Sequence, residues 1–187
     1  MTTALKALLL MVGLAAASPA LAQSRGYYGS PQRYRAYPEN ALRLEVGGAS
    51  LGVEDSAPAP FYNVRWGAFV FGGDFDLNLG GPVNLTLGAH EVASSSFSGN
   101  PSIFEPAAGL TFKFGRNAQV QPRFGAGLAL LFASSGDDGA ALRLDGGLSL
   151  YGYAPIGLAM DLVFEVGQLG GITITQAQFL IGPEFRF

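Results

Sequence analysis

From Ala41 to the end of the chain, apolar residues alternate with polar or small residues at a period of two. This alternation predicts β-strands, because successive side chains of a strand point to opposite faces. Clusters of Gly, Pro, Ser and Asn separate the alternating segments and favour turns. We predict eight strands, around residues 42–47, 69–79, 83–90, 108–115, 120–130, 142–150, 157–165 and 178–187. The second strand begins either near Val64 or near Phe69.

The connections between these strands alternate in length. Those that follow even-numbered strands are short and cover residues 80–82, 116–119 and 154–156. Three of the four that follow odd-numbered strands are longer and cover residues 54–62, 93–102 and 134–140. Short turns at one end and longer loops at the other are typical of transmembrane β-barrels, with the turns in the periplasm.

The two faces of the predicted strands differ in chemistry. One face carries large aliphatic and aromatic residues, and the other carries Gly, Ser, Thr and Asn together with most of the charges. A soluble fold would turn its apolar face inward and a charged face to water. Only 13% of the residues are charged, so we expect the apolar face to meet lipid and the small polar face to line a narrow lumen. The predicted fold class is all-β, an eight-stranded antiparallel up-and-down transmembrane β-barrel.

The charged residues of the lumen face have mixed signs. An unpaired charge inside the barrel would be costly, so we expect them to form an ion-pair network that fills the lumen. The expected members of this network are Arg43, Glu45, Asp74, Asp76, Lys113, Arg123, Arg143, Asp145, Asp161, Glu165, Glu184 and Arg186.

The N-terminal residues have the features of an export signal. Lys6 precedes an apolar run, residues 7–17, and the small-residue pattern Ala20-Leu21-Ala22 follows. This predicts a signal peptide over residues 1–22, since the apolar run is shorter than the roughly 20 residues of a spanning helix. Residues 23–41, rich in Tyr, Arg and Pro, are predicted to be a flexible periplasmic segment. The barrel is then expected over residues 42–187.

The last strand ends on an aromatic residue. Phe185 and Phe187 alternate with charged residues up to the end of the sequence. Together with the export signal and eight alternating strands, this resembles the small bacterial outer-membrane barrels of the OmpA and OmpX type, in which the assembly machinery recognises the last strand. The resemblance implies a location in the cell outer membrane and contacts with outer-membrane lipids, lipopolysaccharide and the assembly machinery. No motif encodes the oligomeric state, and we expect a monomer.

Few residues suggest chemistry. His90, the only histidine, lies near Ser94–Ser96, but a His–Ser pair on one strand face would need a serine two positions away, where Val92 stands. Asp74, Asp76 and Asn78 begin like a calcium loop, but Gly and Glu are missing at the sixth and twelfth positions. We therefore predict no catalytic residues, no metal and no cofactor. Asp137 and Asp138 are expected to be solvated loop charges, with cation bridging to lipopolysaccharide as the alternative.

The leading functional interpretation is a non-enzymatic outer-membrane barrel with a structural or surface-interaction role. Three alternatives remain: a narrow channel for small solutes or ions, a lipid-modifying outer-membrane enzyme, and a secreted lipocalin-like barrel with its apolar face inward. A formal net charge of −3 gives no general attraction to nucleic acid. The chain has no cysteine, which argues against a disulfide scaffold and a thiolate site.

Overall fold

The computed structural model describes residues 40–54, 64–94, 102–115, 119–151 and 155–187. These residues form eight antiparallel strands that close into one barrel in sequence order. The predicted signal peptide and most of the predicted periplasmic segment lie outside the described residues. The strands are β1 Ala41–Glu54, β2 Val64–Gly80, β3 Val83–Ser94, β4 Ile103–Lys113, β5 Val120–Ala133, β6 Asp138–Tyr151, β7 Ile156–Leu169 and β8 Ile172–Arg186. Strand β2 thus begins at the earlier of the two predicted positions. In the described ranges, no helix is long and apolar enough to cross a membrane.

The register between strands sets the shape of the barrel. Following the paired residues from Arg43 through β2 to β8 leads back to Val53 on β1, ten residues further along that strand. This stagger, with the usual spacings within and between strands, tilts the strands by about 40° from the barrel axis. Closure of β1 against β8 pairs the edge strands, as the lipid core requires of a spanning sheet.

The outer face is an apolar belt. Leu128 and Leu142 have 61% and 67% of their surface exposed, and large apolar residues on every described strand are exposed in the same way. A soluble protein does not expose so large an apolar surface, whereas a membrane barrel needs an apolar band about 25 Å high. The predicted fold class is confirmed. The lipocalin-like interpretation is wrong, because it would require this face to point inward.

The connection between β5 and β6 is shorter than predicted. Strand β6 begins at Asp138, so the connection is a tight turn of residues 134–137 and not a loop of residues 134–140. The amide of Ala133 donates to the carbonyl of Asp137 at 2.8 Å, which closes this turn. The connection between β7 and β8 is tighter still: Gly170 and Gly171 both have positive φ, as a two-residue type I′ hairpin requires.

Candidate functional site: the barrel lumen

The structure places the twelve predicted lumen residues on the inward-facing positions of their strands. Nine of them are buried, and Lys113, Asp145 and Arg186 are partly buried. Alternation explains this arrangement locally, because predicted lumen residues that share a strand are separated by an even number of positions. Most of them join two clusters around Arg43 and Arg123, and a third group surrounds Arg143.

Arg43 on β1 holds three carboxylates. Its Nη1 donates to Oδ2 of Asp76 at 2.5 Å, its Nη2 donates to Oδ2 of Asp74 at 3.1 Å, and its Nε lies 3.4 Å from Oε1 of Glu45. Lys113 on β4 adds a second cation, with Nζ 2.7 Å from Oδ2 of Asp76. Because each of these carboxylates is nearly or fully buried, these contacts replace the hydration that burial removes.

Arg123 on β5 forms the second cluster. Its guanidinium donates to both carboxylate oxygens of Asp161 and to the hydroxyl of Ser149, and its Nη1 lies 3.3 Å from Oε2 of Glu184. Ser149 in turn donates to Oε2 of Glu184 at 2.5 Å. Lys113 lies 3.3 Å from Oε1 of the same glutamate, so Glu184 connects this cluster to the one around Arg43.

We call the end of the barrel at which β1 begins and β8 ends its N-terminal end. A third group of polar side chains lies further from this end than the two clusters around Arg43 and Arg123. Nη1 of Arg143 donates to Oε1 of Glu165 at 3.2 Å. The buried carboxylate of Glu105 accepts from the amides of Gln176 and Gln178 at 2.9 to 3.2 Å. Sequence reasoning missed Glu105 because the predicted fourth strand began only at residue 108, whereas β4 begins at Ile103. Glu105 continues the inward alternation of β4 two positions before Ala107.

An apolar cap closes the opposite end of the lumen. It consists of Leu51, Val92, Ile103, Leu131 and Ile174, which project inward near the loop ends of their strands. The buried apolar cluster continues from the cap through Ala49, Val70, Ala129 and Ala141 to Val163 and Leu180, which lie among the polar lumen residues of β7 and β8. The lumen is therefore polar over only part of its length, and not throughout as expected. Leu51, Val92, Leu131 and Ile174 lie at strand ends beyond the predicted strand segments. The alternation of apolar and polar residues is not regular near the strand ends, so the sequence did not show which face these residues occupy.

Glycine on the inner face makes room for the buried carboxylates. Three of the aspartates each face a glycine across a strand pair, and a methyl group added at that glycine would collide with the aspartate carboxylate. At these three positions the packing of a carboxylate inside the lumen therefore requires glycine. The three pairs are Asp74 with Gly88, Asp145 with Gly125, and Asp161 with Gly147.

The C-terminal residues complete the N-terminal end of the barrel. The ring of Phe187 stacks on Phe75, with centroids 6.0 Å apart, and its amide donates to the carbonyl of Asn40 at 3.1 Å. Arg186 hydrogen bonds with Gln121 and lies over the ring of Tyr151. These contacts anchor the last strand, and recognition of Phe185 and Phe187 by the assembly machinery stays a prediction.

His90 lies in the lumen and is buried. Its Nδ1 is 3.4 Å from Nη1 of Arg143, and its Nε2 is 3.5 Å from Oε2 of Glu45. Asp74 and Asp76 lie on a regular strand and contact Arg43, so these residues have no calcium-loop geometry.

No family model and no curated protein match the chain. Solved structures that share its fold include Neisserial surface protein A, with 13% sequence identity, a TM-score of 0.66, and coverage of 79% of this chain and 97% of that one. The outer membrane protein OprG from Pseudomonas aeruginosa is similar at 13% identity and a TM-score of 0.56, over 83% of this chain and 99% of OprG. The chain therefore has the fold of the small bacterial outer-membrane β-barrels. The expected location in the outer membrane agrees with the location of these proteins.

Proposed function

We propose that this protein is a non-conducting outer-membrane β-barrel with a structural or surface-interaction role. The observation that carries the proposal is the filling of the lumen by two successive layers, the ion-pair network and the apolar cap. Eight strands enclose an interior that is just wide enough for side chains. In the cap, Leu51, Val92, Ile103, Leu131 and Ile174 are each at most 3% exposed.

Both layers oppose the passage of ions and small solutes. The cap offers a permeating ion no polar group to replace its water, and an ion is very costly to place in such an environment. The carboxylates in the layer beneath it already contact Arg43, Arg123 and Lys113. A solute would have to break these contacts to pass.

The surroundings of His90 favour a non-enzymatic role. Its two ring nitrogens face Arg143 and Glu45, and a lipid substrate would have to reach them through the wall or the cap. An acyl-transfer enzyme would need a nucleophile that contacts such a base. The name of Neisserial surface protein A supports the other half of the proposal, display of the loop end of the barrel at the cell surface.

Conductance of the purified protein in planar bilayers tests the closed lumen. We expect no steady single-channel steps from protein that shows the gel-mobility difference between unheated and boiled samples, which reports a closed barrel. A reproducible conductance from such folded protein would overturn the proposal and favour the channel.

Mass spectrometry of lipids from cells with and without the protein tests the non-enzymatic part. We expect identical lipid A and phospholipid species in the two strains. A modified lipid that disappears in an H90Q strain would identify an enzyme instead.

A further inference from the structure

We propose that the lumen contains a binding site for one divalent transition-metal ion, with zinc as the best match, formed by Glu45, Asp74 and His90. One potential ligand atom from each of these three buried residues lies within 4.8 Å of the other two. The site goes beyond the structural role proposed above.

The backbone register creates the space for this site. Glu45 on β1 pairs with Gly72 on β2, and Gly72 pairs with His90 on β3. The residue between the glutamate and the histidine therefore has no side chain, and a methyl group there would collide with the imidazole ring. The carboxylate and the imidazole meet above Gly72, and Asp74 follows two residues later on the same face of β2.

Unsatisfied ligand atoms point into this space. Both carboxylate oxygens of Glu45 and Nε2 of His90 are buried and have no hydrogen-bond partner among the described residues. Buried polar atoms without a hydrogen bond are rare in folded proteins. Oε1 of Glu45 keeps ion-pair contacts with Nε of Arg43 at 3.4 Å and Nη2 of Arg123 at 3.9 Å. Nε2 and Oε2 are 3.5 Å apart. Two ligands about 2.1 Å from a shared ion would be separated by about 3.4 Å at a tetrahedral angle, so this pair already has the required spacing.

The charge balance of the lumen also favours a cation. Among the described residues, the lumen face carries five cationic side chains and eight carboxyl groups, an excess of three potential negative charges. In a low-dielectric interior such an excess is unfavourable unless a proton or a bound cation compensates it. Nitrogen from imidazole together with carboxylate oxygen suits zinc better than calcium or magnesium, which prefer oxygen ligands alone.

Arg143 and Arg43 would adjust to the ion. Metal binding at Nε2 places the ring proton on Nδ1, so Arg143 would turn away from Nδ1 and toward Glu165, whose Oε1 is 3.2 Å from Nη1. Nη2 of Arg43 donates to Oδ2 of Asp74 at 3.1 Å. That carboxylate has a second oxygen for the ion, so the two contacts are compatible.

The test compares zinc content in four forms of the full chain: the unaltered protein, H90Q, E45Q and E105Q. Each is folded into detergent in the presence of zinc, checked for the heat-dependent gel shift, and dialysed against a chelator. E105Q is the matched control for E45Q, because it makes the same carboxyl-to-amide change at a buried lumen glutamate outside the site. We expect one zinc ion per chain in the unaltered protein and in E105Q. We expect affinity to fall by more than about 100-fold in H90Q and E45Q.

Cobalt in place of zinc gives a second readout that stability differences do not affect. We expect visible absorption typical of low-coordinate cobalt in the unaltered protein and in E105Q, and its loss in H90Q. Absence of zinc from the unaltered protein would overturn the proposal, with water or a direct Glu45–His90 contact then satisfying these atoms. Equal zinc content in all four forms would overturn it as well, since the metal would then bind elsewhere.

Discussion

The substitution G147A tests the role of glycine in the lumen. A methyl group at this position would overlap Oδ1 of Asp161 and approach the carbonyl oxygen of Met160 to 2.6 Å. The carboxylate would have to leave its position against Arg123. Gly146, the neighbouring residue, faces outward and has nothing within 4 Å of an added methyl group. G146A is therefore the matched control, with the same change on the same strand.

The expected loss of stability follows from the burial of the broken ion pair. Arg123 and Asp161 are 3% and 4% exposed, and breaking a buried pair typically costs about 3–5 kcal/mol. Arg123 keeps Ser149 and Glu184 as partners. We therefore expect G147A to lower the free energy of unfolding by about 3 kcal/mol, at the lower end of this range. G146A should be neutral or stabilising by about 0.5 kcal/mol, because alanine restricts the unfolded chain.

Urea unfolding in lipid vesicles, followed by the gel shift of the folded barrel, measures this difference. With a urea dependence of about 1–3 kcal/mol per molar, G147A should lower the midpoint by about 1–3 M. A midpoint of G147A equal to that of G146A would refute the reasoning.

A double-mutant cycle shows whether the effect passes through the ion pair. D161A should destabilise the unaltered protein but add little in the G147A background, because the pair is already broken there. Additive losses would instead assign the effect of G147A to the backbone contact with Met160.

Three further predictions use the same unfolding measurement. L131A should cost about 2–5 kcal/mol because it leaves a cavity in the cap, whereas L130A on the outer face should cost less because lipid fills the space; equal losses would contradict the assigned faces. L162R, near the middle of the apolar belt, should cost about 2–4 kcal/mol and Q168R, on the same face near the strand end, about 0–1 kcal/mol; the reverse order would contradict the position of the belt. R43M should cost about 3–5 kcal/mol, since it leaves three buried carboxylates without their shared cation, and an unchanged midpoint would show that they do not depend on it.

The fold was predictable from local patterns. Alternation at a period of two identified each strand and separated the lipid face from the lumen face, so Leu128 and Arg123 were assigned to opposite faces correctly. This works because a strand turns successive side chains to opposite sides whatever its neighbours are. The signal is weakest at strand ends, which is why the start of β6 at Asp138 and the apolar cap residue Leu51 were missed.

The pairing of particular side chains depended on the tertiary structure. Arg123 meets Asp161, and Glu45 meets His90 above Gly72, because closure with a stagger of ten residues brings these positions together. Periodicity within a strand contains no information on the register between strands. By itself, the sequence determined that the chain forms strands with one apolar and one polar face. Only the closed barrel decided which charges meet, where glycine leaves space beside a carboxylate, and that an apolar cap covers the network.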